Sequence, residues 1–423
     1  MQRRGTLHHR HRAADRRRVV RQRRTMGRCM KTLEQIVVAD PLSLRDCCAH
    51  LAATTLLGFD TEFVGEETYE PDLCLIQVST ADALFLIDPL TAGPLDAFWK
   101  LLVDPARTVV VHAGREETRM CRRQSGSTPS NWFDLQIAAG LVGLNYPLGH
   151  GPLIYQLLDI QLSKAETLTE WRHRPLTPAQ LDYAFDDVRF LLPLWQILEK
   201  QLTELGRRDW AQQEFTRFVS QALPEFSAQP AARDKWRKLK GLGVLDRRRL
   251  GLVREMFLAR EAVAAQMNRP PRVLVRDDLL VELARRNPKT PDEIQVVRGM
   301  AKRFVQPLWD AIEHARKLPA NELPMNIERE QDPPQVTVIV NLLGAILNDF
   351  CAREKLAVSL TATVSDMKDL VRSKMQNIPP AETNLLMAGW RLEFVLPILL
   401  GVLEGKRSVR ITNLQAESPF ALE

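Results

Sequence analysis

The chain has 423 residues, of which 45% are hydrophobic and 26% charged, proportions that are ordinary for globular protein. This length predicts two to four domains at about 100–200 residues each. The six cysteines include no Cys-x-x-Cys pair and no zinc spacing, which excludes a disulfide framework and predicts a cytoplasmic protein, and no apolar run approaches the ~20 residues of a membrane span.

The formal net charge of +6 comes from the amino terminus. Eleven Arg and one Asp give residues 1–30 a charge of +10, and subtracting this from the total leaves −4 for residues 31–423. The mildly acidic body therefore gives no charge-based argument for nucleic acid. Residues 1–29 lack the hydrophobic core of a signal peptide, and we expect a disordered basic tail. It is either an RNA-binding arm or, as we favour, sequence upstream of a true start at Met26 or Met30.

The first strong strand signal is an apolar run that begins at Leu56 and ends in two acids, Asp60 and Glu62. Side chains alternate along a strand, so these two carboxylates project from the same face. They repel each other unless a cation lies between them, and oxygen ligands suit Mg²⁺ or Mn²⁺. An isolated Asp-x-Glu is more often a solvated strand end, so the metal interpretation depends on partner residues further along the chain.

The segments around this strand alternate in type. A helix is predicted over 41–53, a hairpin-like pair of strands over 71–80 and 83–88, and a helix around 98–102. The run Thr108-Val109-Val110-Val111-His112 is β-branched up to its last residue, which is typical of a strand buried on both faces. Early strands followed by strand–helix alternation predict an α/β layer with a mixed sheet.

A second group of acids follows the buried strand 108–112. The strand stops at Ala113-Gly114, and Arg115 opens a helix that reaches about Arg123. The first helical side chains then lie at the carboxyl edge of the sheet, where open α/β sheets bind ligands. Glu116 and Glu117 occupy this position. The alternative is that they only complement the helix dipole.

A third group lies on a helix that starts at Thr177 with Pro178 at its first position. Tyr183 and Asp187 are four residues apart and therefore share one helix face. A phenol one turn from a carboxylate fits a site in which Asp187 holds a metal and Tyr183 steers a water. The alternative is an amphipathic helix with Tyr183 half-buried and Asp187 in solvent.

The chain after Glu199 changes character, and residues 234–317 carry no strand signal. A helix over 202–222 precedes a linker at 224–232, a helical segment at 234–317, a second linker at 318–335 and a helical segment at 336–411. Basic residues at Arg247-Arg248-Arg249 and Lys302-Arg303 either serve phosphates or form a solvated helix face.

Three ordered motifs resemble the tyrosine-containing ribonuclease D branch of the DEDD 3′–5′ exonucleases. The first is Asp60-Thr61-Glu62-Phe63, and the second is His112-Ala113-Gly114 followed by Phe133-Asp134. The third runs from Tyr183 to Val188, supported upstream by Lys164, Trp171 and Arg174-Pro175-Leu176. Residues 234–317 resemble the HRDC domain, and Gly389-Trp390-Arg391 resembles part of a divergent second copy.

The resemblance implies a fold and a domain order. The expected fold is α/β, a ribonuclease H-like mixed sheet with flanking helices, followed by two all-α helical domains. The predicted boundaries are 1–29 for the tail, 31–225 for the exonuclease domain, 234–317 for the HRDC domain and 336–411 for the second HRDC-like domain.

The resemblance also implies a reaction. Two divalent metal ions, Mg²⁺ or Mn²⁺, would be held by Asp60, Glu62, Glu117 and Asp187, and Tyr183 would orient the attacking water. The substrate would be the 3′ end of RNA, with tRNA precursors implied, and nucleoside 5′-monophosphates would be released. Asp134 is expected to be a supporting residue and His112 a structural one. No membrane and no obligate protein partner is expected.

Two alternatives remain open at this point. The first is a 3′–5′ exonuclease acting on DNA, since the same fold proofreads for polymerases. The second is a non-catalytic RNA-binding protein whose metal site has degenerated. Its only support is Glu117, which stands where the family carries an Asp.

Overall fold

The computed structural model describes residues 33–162, 170–223, 235–326 and 332–423. The predicted tail 1–29, the linker 224–232 and Lys164 lie outside the described residues. The amino-terminal part is built on a sheet of six strands. They are β1 (Glu34–Val38), β2 (Leu56–Val64), β3 (Asp72–Ser79), β4 (Ala83–Ile87), β5 (Thr108–Val111) and β6 (Trp132–Asp134).

The sheet has the order β1-β4-β3-β2-β5-β6 and is mixed, as the sequence predicts. Strand β2 pairs antiparallel with β3 and parallel with β5. The hairpin of β3 and β4 is also present. Strand β2 therefore lies near the middle of the sheet, between β3 and β5. Its end carries Asp60 and Glu62. Strands β1 and β6 are short and have no counterpart among the sequence predictions.

Helices cover both faces of this sheet. Alternation along β2 sends Leu57 and Phe59 to the face covered by the first three helices, α1 (Pro41–Ala52), α2 (Asp96–Leu102) and α3 (Arg115–Ser125). The other face packs against helices that follow later in the chain. They are α4 (Leu135–Leu141), α5 (His150–Leu158), α6 (Pro178–Arg189), α7 (Leu191–Glu204) and α8 (Arg208–Ala222).

The single helix predicted over 202–222 is wrong at its start. Helix α7 ends at Glu204, Gly206 adopts a left-handed φ of 67°, and α8 begins at Arg208. The intervening Arg207 is buried and donates hydrogen bonds of 2.8 Å to the carbonyl oxygens of Leu141 and Lys355. The break thus places a guanidinium where it joins the amino-terminal sheet and its helices to the carboxy-terminal helices.

The middle of the chain forms a helical bundle with its own core. After two short 3₁₀ turns come α9 (Arg247–Met267), α10 (Pro271–Leu274), α11 (Asp277–Arg286), α12 (Pro291–Gln295) and α13 (Val305–Lys317). No strand occurs among the described residues 235–326. The central side chains of this core include Trp236, Leu250, Met256, Leu280 and Ile312.

Two of the basic residues considered for phosphate contacts have other partners. Arg247 donates to the carbonyl oxygens of Pro324 and Leu323 at 3.1 and 3.0 Å, and Arg248 donates to that of Leu318 at 2.8 Å. These guanidinium groups hold the segment 318–324, which the sequence suggests is a linker, against the bundle. Arg247 and Arg248 therefore bind backbone carbonyl groups in this structure, a structural role that the sequence did not predict.

The carboxy-terminal helices pack onto the amino-terminal α/β layer and share its hydrophobic core. The rings of Trp210 and Trp390 stack with centroids 4.6 Å apart, and a fully buried ion pair joins Arg391 to Glu214. The helices are α14 (Pro334–Glu354), α15 (Val358–Thr361), α16 (Val364–Gln376), α17 (Trp390–Phe394) and α18 (Leu396–Leu403).

Helix α14 is, among the described residues, the one helix that is long and apolar enough to cross a membrane by length and composition alone. Asn341, Asn348 and Asp349 interrupt its apolar residues, and Leu343 and Leu347 pack in the shared core. The helix therefore serves this fold as a core element.

The prediction of helix up to residue 411 is wrong at its end. Residues Val409–Ile411 form β7, which pairs antiparallel with β8 (Phe420–Leu422). Each strand has three residues, too few for a period-2 pattern to be recognised in the sequence.

Candidate active site

The end of β2 presents two carboxylates on one face of the sheet. Asp60 lies opposite Gln77 of β3, and the register shifts by a β-bulge directly after Glu62. The same face packs closely against α7 at Gly58, where an added Cβ would lie 2.2 Å from Ser79 Oγ and 3.1 Å from Leu191. The missing side chain of Gly58 thus lets α7 approach the strand just before the two acids.

Helix α6 brings Tyr183 and Asp187 to the same face. Thr177 caps this helix in a capping box with Gln180, and Pro178 occupies the first position, as the sequence predicts. The helix packs on β2, β3 and β4. Here the Tyr183 phenol and the Asp187 carboxylate lie close enough to shift each other's pKa values, and both groups interact electrostatically with Glu62. The structure therefore brings the first and third groups of predicted residues together.

Glu117 approaches from the other side of the strand. It lies in the first turn of α3, is only 7% exposed, and accepts a 2.8 Å hydrogen bond from the Thr61 hydroxyl. Thr61 stands between Asp60 and Glu62, so its side chain points to the opposite face of β2. Glu117 is still close enough to raise the pKa values of Asp60 and Glu62 by repulsion. Its neighbour Glu116 instead pairs with Arg119.

Burial and mutual repulsion make these carboxyl groups weak acids. Burial, followed by repulsion from Asp187 and Glu117, raises the pKa of Glu62 to about 8. Burial also raises the pKa values of Glu117 and Asp187 to about 7, and it raises the pKa of Asp60 well above its ordinary range. The pKa of Tyr183 rises, first through burial and then through the nearby Asp187, so its hydroxyl stays protonated at neutral pH.

These four carboxylates fit divalent cations by their chemistry. Among the described residues, no Lys, Arg or His forms an ion pair with Asp60, Glu62, Glu117 or Asp187. Buried carboxylates with no counter-charge are unstable as ions, and hard oxygen ligands suit Mg²⁺ and Mn²⁺. Within the described part of the chain the side chains do not already converge into a group of three that could hold an ion directly. Metal binding on this set therefore requires the carboxylates to turn toward a shared point.

Asp134 and His112 lie at the carboxyl ends of β6 and β5 and make hydrogen bonds to the neighbouring backbone. One oxygen of Asp134 caps α4 by accepting from Gln136 N at 2.8 Å and Ile137 N at 3.2 Å, and the other accepts from Gly114 N at 3.0 Å. The His112 ring lies 2.9 Å from the carbonyl oxygen of Leu148. These contacts fix the Ala113-Gly114 turn that leads into Glu117, which agrees with the structural roles expected for both residues.

Arg174 holds the segment that leads into α6. Its guanidinium donates to Asp88 at 2.5 and 3.0 Å and to the carbonyl oxygen of Cys74 at 2.6 Å. It thus ties residues 171–175 to β3 and to the end of β4, beside the carboxylates. The sequence pointed to Arg174 only through the family resemblance, because its partner Asp88 looks like a turn residue.

A loop after β2 connects the site to the middle bundle. The backbone N–H groups of Tyr69 and Glu70 donate to the Asn268 side chain at 3.1 and 3.2 Å, and the Tyr69 hydroxyl lies 3.4 Å from Glu261. Asn268 ends α9 in the left-handed conformation. No sequence signal identified this contact, because it joins positions about 200 residues apart through backbone donors.

Comparison with known proteins matches both regions of the chain. A family model described as 3′–5′ exonuclease matches residues 35–203, and one described as HRDC domain matches residues 249–312. Both matches lie within the predicted domains, whose exact boundaries stay predictions.

Similar proteins cover most of the chain. Ribonuclease D of Acidiphilium cryptum is 31% identical over 85% of this chain and 91% of its own length. Ribonuclease D of Pseudomonas paraeruginosa is 32% identical over 87% and 97%. The crystal structure of Escherichia coli RNase D, described as an exoribonuclease involved in structured RNA processing, superimposes with a TM-score of 0.76 at 26% identity, over 89% of this chain and 99% of that one.

Proposed function

The chain belongs to the ribonuclease D family of 3′–5′ exoribonucleases, and we propose that it trims the 3′ ends of tRNA precursors with two divalent metal ions held by Asp60, Glu62, Glu117 and Asp187. The observation that carries the metal assignment is the set of four carboxyl groups with raised pKa values and no cationic partner among the described residues. A purely structural cluster of this kind would lower stability at neutral pH without compensation.

Each residue has a stated part in this proposal. Asp60 and Glu62 on the strand and Asp187 on the helix would hold the ions, and Glu117 would contribute to holding the second ion from the other side of the strand. Divalent ions bound there would activate the attacking water and offset the charge on the leaving oxygen. The Tyr183 hydroxyl is protonated and lies beside Asp187, so it would orient the attacking water by a hydrogen bond and would not remove its proton.

RNA is the favoured substrate because the relatives named above are ribonucleases and an HRDC-type bundle follows the exonuclease layer. The Escherichia coli relative is described as acting in structured RNA processing, which supports a folded precursor as the substrate of this chain. A reducing, cytoplasmic location accords with the free state of the five described cysteines.

The proposed activity is tested with 5′-labelled RNA and DNA oligomers of the same sequence, incubated with Mg²⁺ or Mn²⁺ and with a chelator. We expect stepwise shortening of the RNA from its 3′ end and complete inhibition by the chelator. Faster shortening of the DNA would favour the DNA exonuclease. RNA binding without shortening in either metal would favour the non-catalytic alternative.

The role of Glu117 is tested with Glu117→Gln and Glu117→Asp in each metal, with Glu116→Gln as the matched control. Glu116 is the neighbouring acid and pairs with Arg119, so its loss leaves the carboxylate set intact. We expect Glu117→Gln to be slow and Glu116→Gln to match the wild type. The reverse result would assign the second-motif carboxylate to Glu116.

A further inference from the structure

Gln77 is a fully buried polar side chain whose amide makes no hydrogen bond to the described part of the chain. Its relative exposure is 0%, and neither Nε2 nor Oε1 has a hydrogen-bond partner among the described residues. A buried amide without a partner costs free energy that an apolar side chain of the same size avoids. Strand β4 is the other neighbour of β3 in the sheet, and its residue opposite Gln77 is Leu86, an apolar side chain of similar size. Folding stability alone therefore does not explain an amide at position 77.

The register of the sheet places this amide beside the carboxylates. Gln77 stands directly opposite Asp60, and opposed residues of an antiparallel pair share a face. Glu62 is opposite Leu75, so Gln77 is its diagonal neighbour, at a separation that long side chains bridge.

We propose that Gln77 is a positioning residue of the metal site, whose amide nitrogen donates a hydrogen bond to Glu62 once that carboxylate turns toward a bound divalent ion. This inference rests on the proposed function, since it assigns Glu62 as a ligand. An amide is suited to the task because it donates without adding a charge that would compete with the ion. Hydrogen bonds to ligand carboxylates fix their orientation and contribute to metal affinity.

The strand offers a matched control two residues along. Ser79 faces the same side, is 1% exposed, and its hydroxyl also has no partner among the described residues. It lies opposite Gly58 instead of a carboxylate. Ser79→Ala therefore removes an equally buried polar group on the same strand face without touching Asp60 or Glu62.

The experiment compares the full chain with Gln77→Met and Ser79→Ala after removal of metal. Thermal melting and calorimetric titration of Mn²⁺ are measured for each protein. We expect both variants to melt at or above the wild-type temperature, because each removes an unpaired buried polar group. Only Gln77→Met should bind Mn²⁺ more weakly, by about 10- to 100-fold.

The outcomes separate this inference from the proposed function. Wild-type Mn²⁺ affinity in Gln77→Met would overturn the positioning role while leaving the metal site in place. A wild-type chain that neither binds Mn²⁺ nor shortens RNA would overturn the proposed function itself. If Gln77→Met fails to fold, Gln77→Leu gives the same two readouts with a shorter apolar side chain.

Discussion

The hydroxyl of Thr61 donates a 2.8 Å hydrogen bond to Oε1 of Glu117, and both groups are buried. Thr61 lies between the two acids of β2, so the bond ties the carboxylate of α3 to the strand that carries Asp60 and Glu62. The first and second sequence motifs are thus joined by a side chain that neither motif argument assigned a role.

Thr61→Val should reduce the rate of RNA shortening by about 10- to 100-fold, the usual cost of losing a hydrogen bond that orients a metal-linked group. Valine has the shape of threonine, so packing is preserved. Thr118→Val is the control, because the Thr118 hydroxyl is equally buried but donates to the Gly114 carbonyl oxygen. Equal rates for both variants would show that Glu117 does not need this bond.

Asp60→Asn and Asp187→Asn should nearly abolish hydrolysis and raise the melting temperature of the metal-free protein. Each removes one of several mutually repelling charges, and a loss of roughly 4 kcal/mol of transition-state stabilisation corresponds to a rate about 10³-fold lower. Asp186→Asn is the matched control, since Asp186 pairs with Arg189. Activity of Asp60→Asn within tenfold of the wild type would contradict the metal-ligand assignment.

Tyr183→Phe should slow turnover by up to about 10²–10⁴-fold and leave Mn²⁺ affinity unchanged. The variant loses one hydroxyl, while the ring keeps its place 6.0 Å from the ring of Trp171. Single-turnover rates and calorimetric titration separate the two effects. A comparable loss of metal affinity would give Tyr183 a different role, as a group that holds Asp187.

Stability without metal should fall as the pH rises. The pKa of Glu62 is about 8 in the folded chain and 4.5 in its ordinary range, so the folded state binds its proton more tightly than the unfolded state. Ionisation of Glu62 between pH 4.5 and 8 therefore favours unfolding. We expect the melting temperature of the chelator-treated wild type, relative to Glu62→Gln, to decline across this window.

Divalent ions should reverse that decline. They bind the ionised carboxylates, so their stabilising effect should grow as the pH rises through the same window. Melting curves with and without Mn²⁺ at pH 5, 6.5 and 8 measure this. A stabilisation by Mn²⁺ that is independent of pH would place the ion away from Glu62.

Asn268→Gly should loosen the middle bundle from the exonuclease layer. It removes the oxygen that accepts from the backbone of Tyr69 and Glu70, a loss of about 1–3 kcal/mol for two hydrogen bonds. Glycine keeps the left-handed end of α9, where Asn268 has a φ of 45°. We expect a higher KM for a folded RNA and an unchanged turnover number for a short oligomer.

Asn377→Gly is the control for this variant, because Asn377 ends α16 in the same left-handed conformation with a φ of 54°. Its KM for the folded RNA should equal that of the wild type. Equal KM values for both variants would mean that docking through Asn268 does not affect substrate binding.

Local patterns were sufficient to predict the strand of Asp60 and Glu62, the capped helix of Tyr183 and the mixed sheet, because alternation and capping depend on neighbouring residues. The partners of these residues are set by tertiary packing. The bond from Thr61 to Glu117 and the burial of Gln77 depend on how α3 and β3 dock against β2. Similarly, the break at Gly206 depends on contacts that Arg207 makes with residues far along the chain.

The shared core of the exonuclease layer and the carboxy-terminal helices has a consequence for synthesis on the ribosome. Leu141 and Leu153 of the early layer pack in one core with Leu343 and Leu347, which are translated only after the whole middle bundle. The middle bundle has a core of its own and can fold as it emerges from the ribosome. The layer that carries the carboxylates can complete its core only after the carboxy-terminal helices have been translated. A chain truncated before α14 would therefore lack the helices that cover the exonuclease layer. The apolar side chains of that layer would then be exposed to solvent, which makes the truncated chain a target for chaperones and proteases.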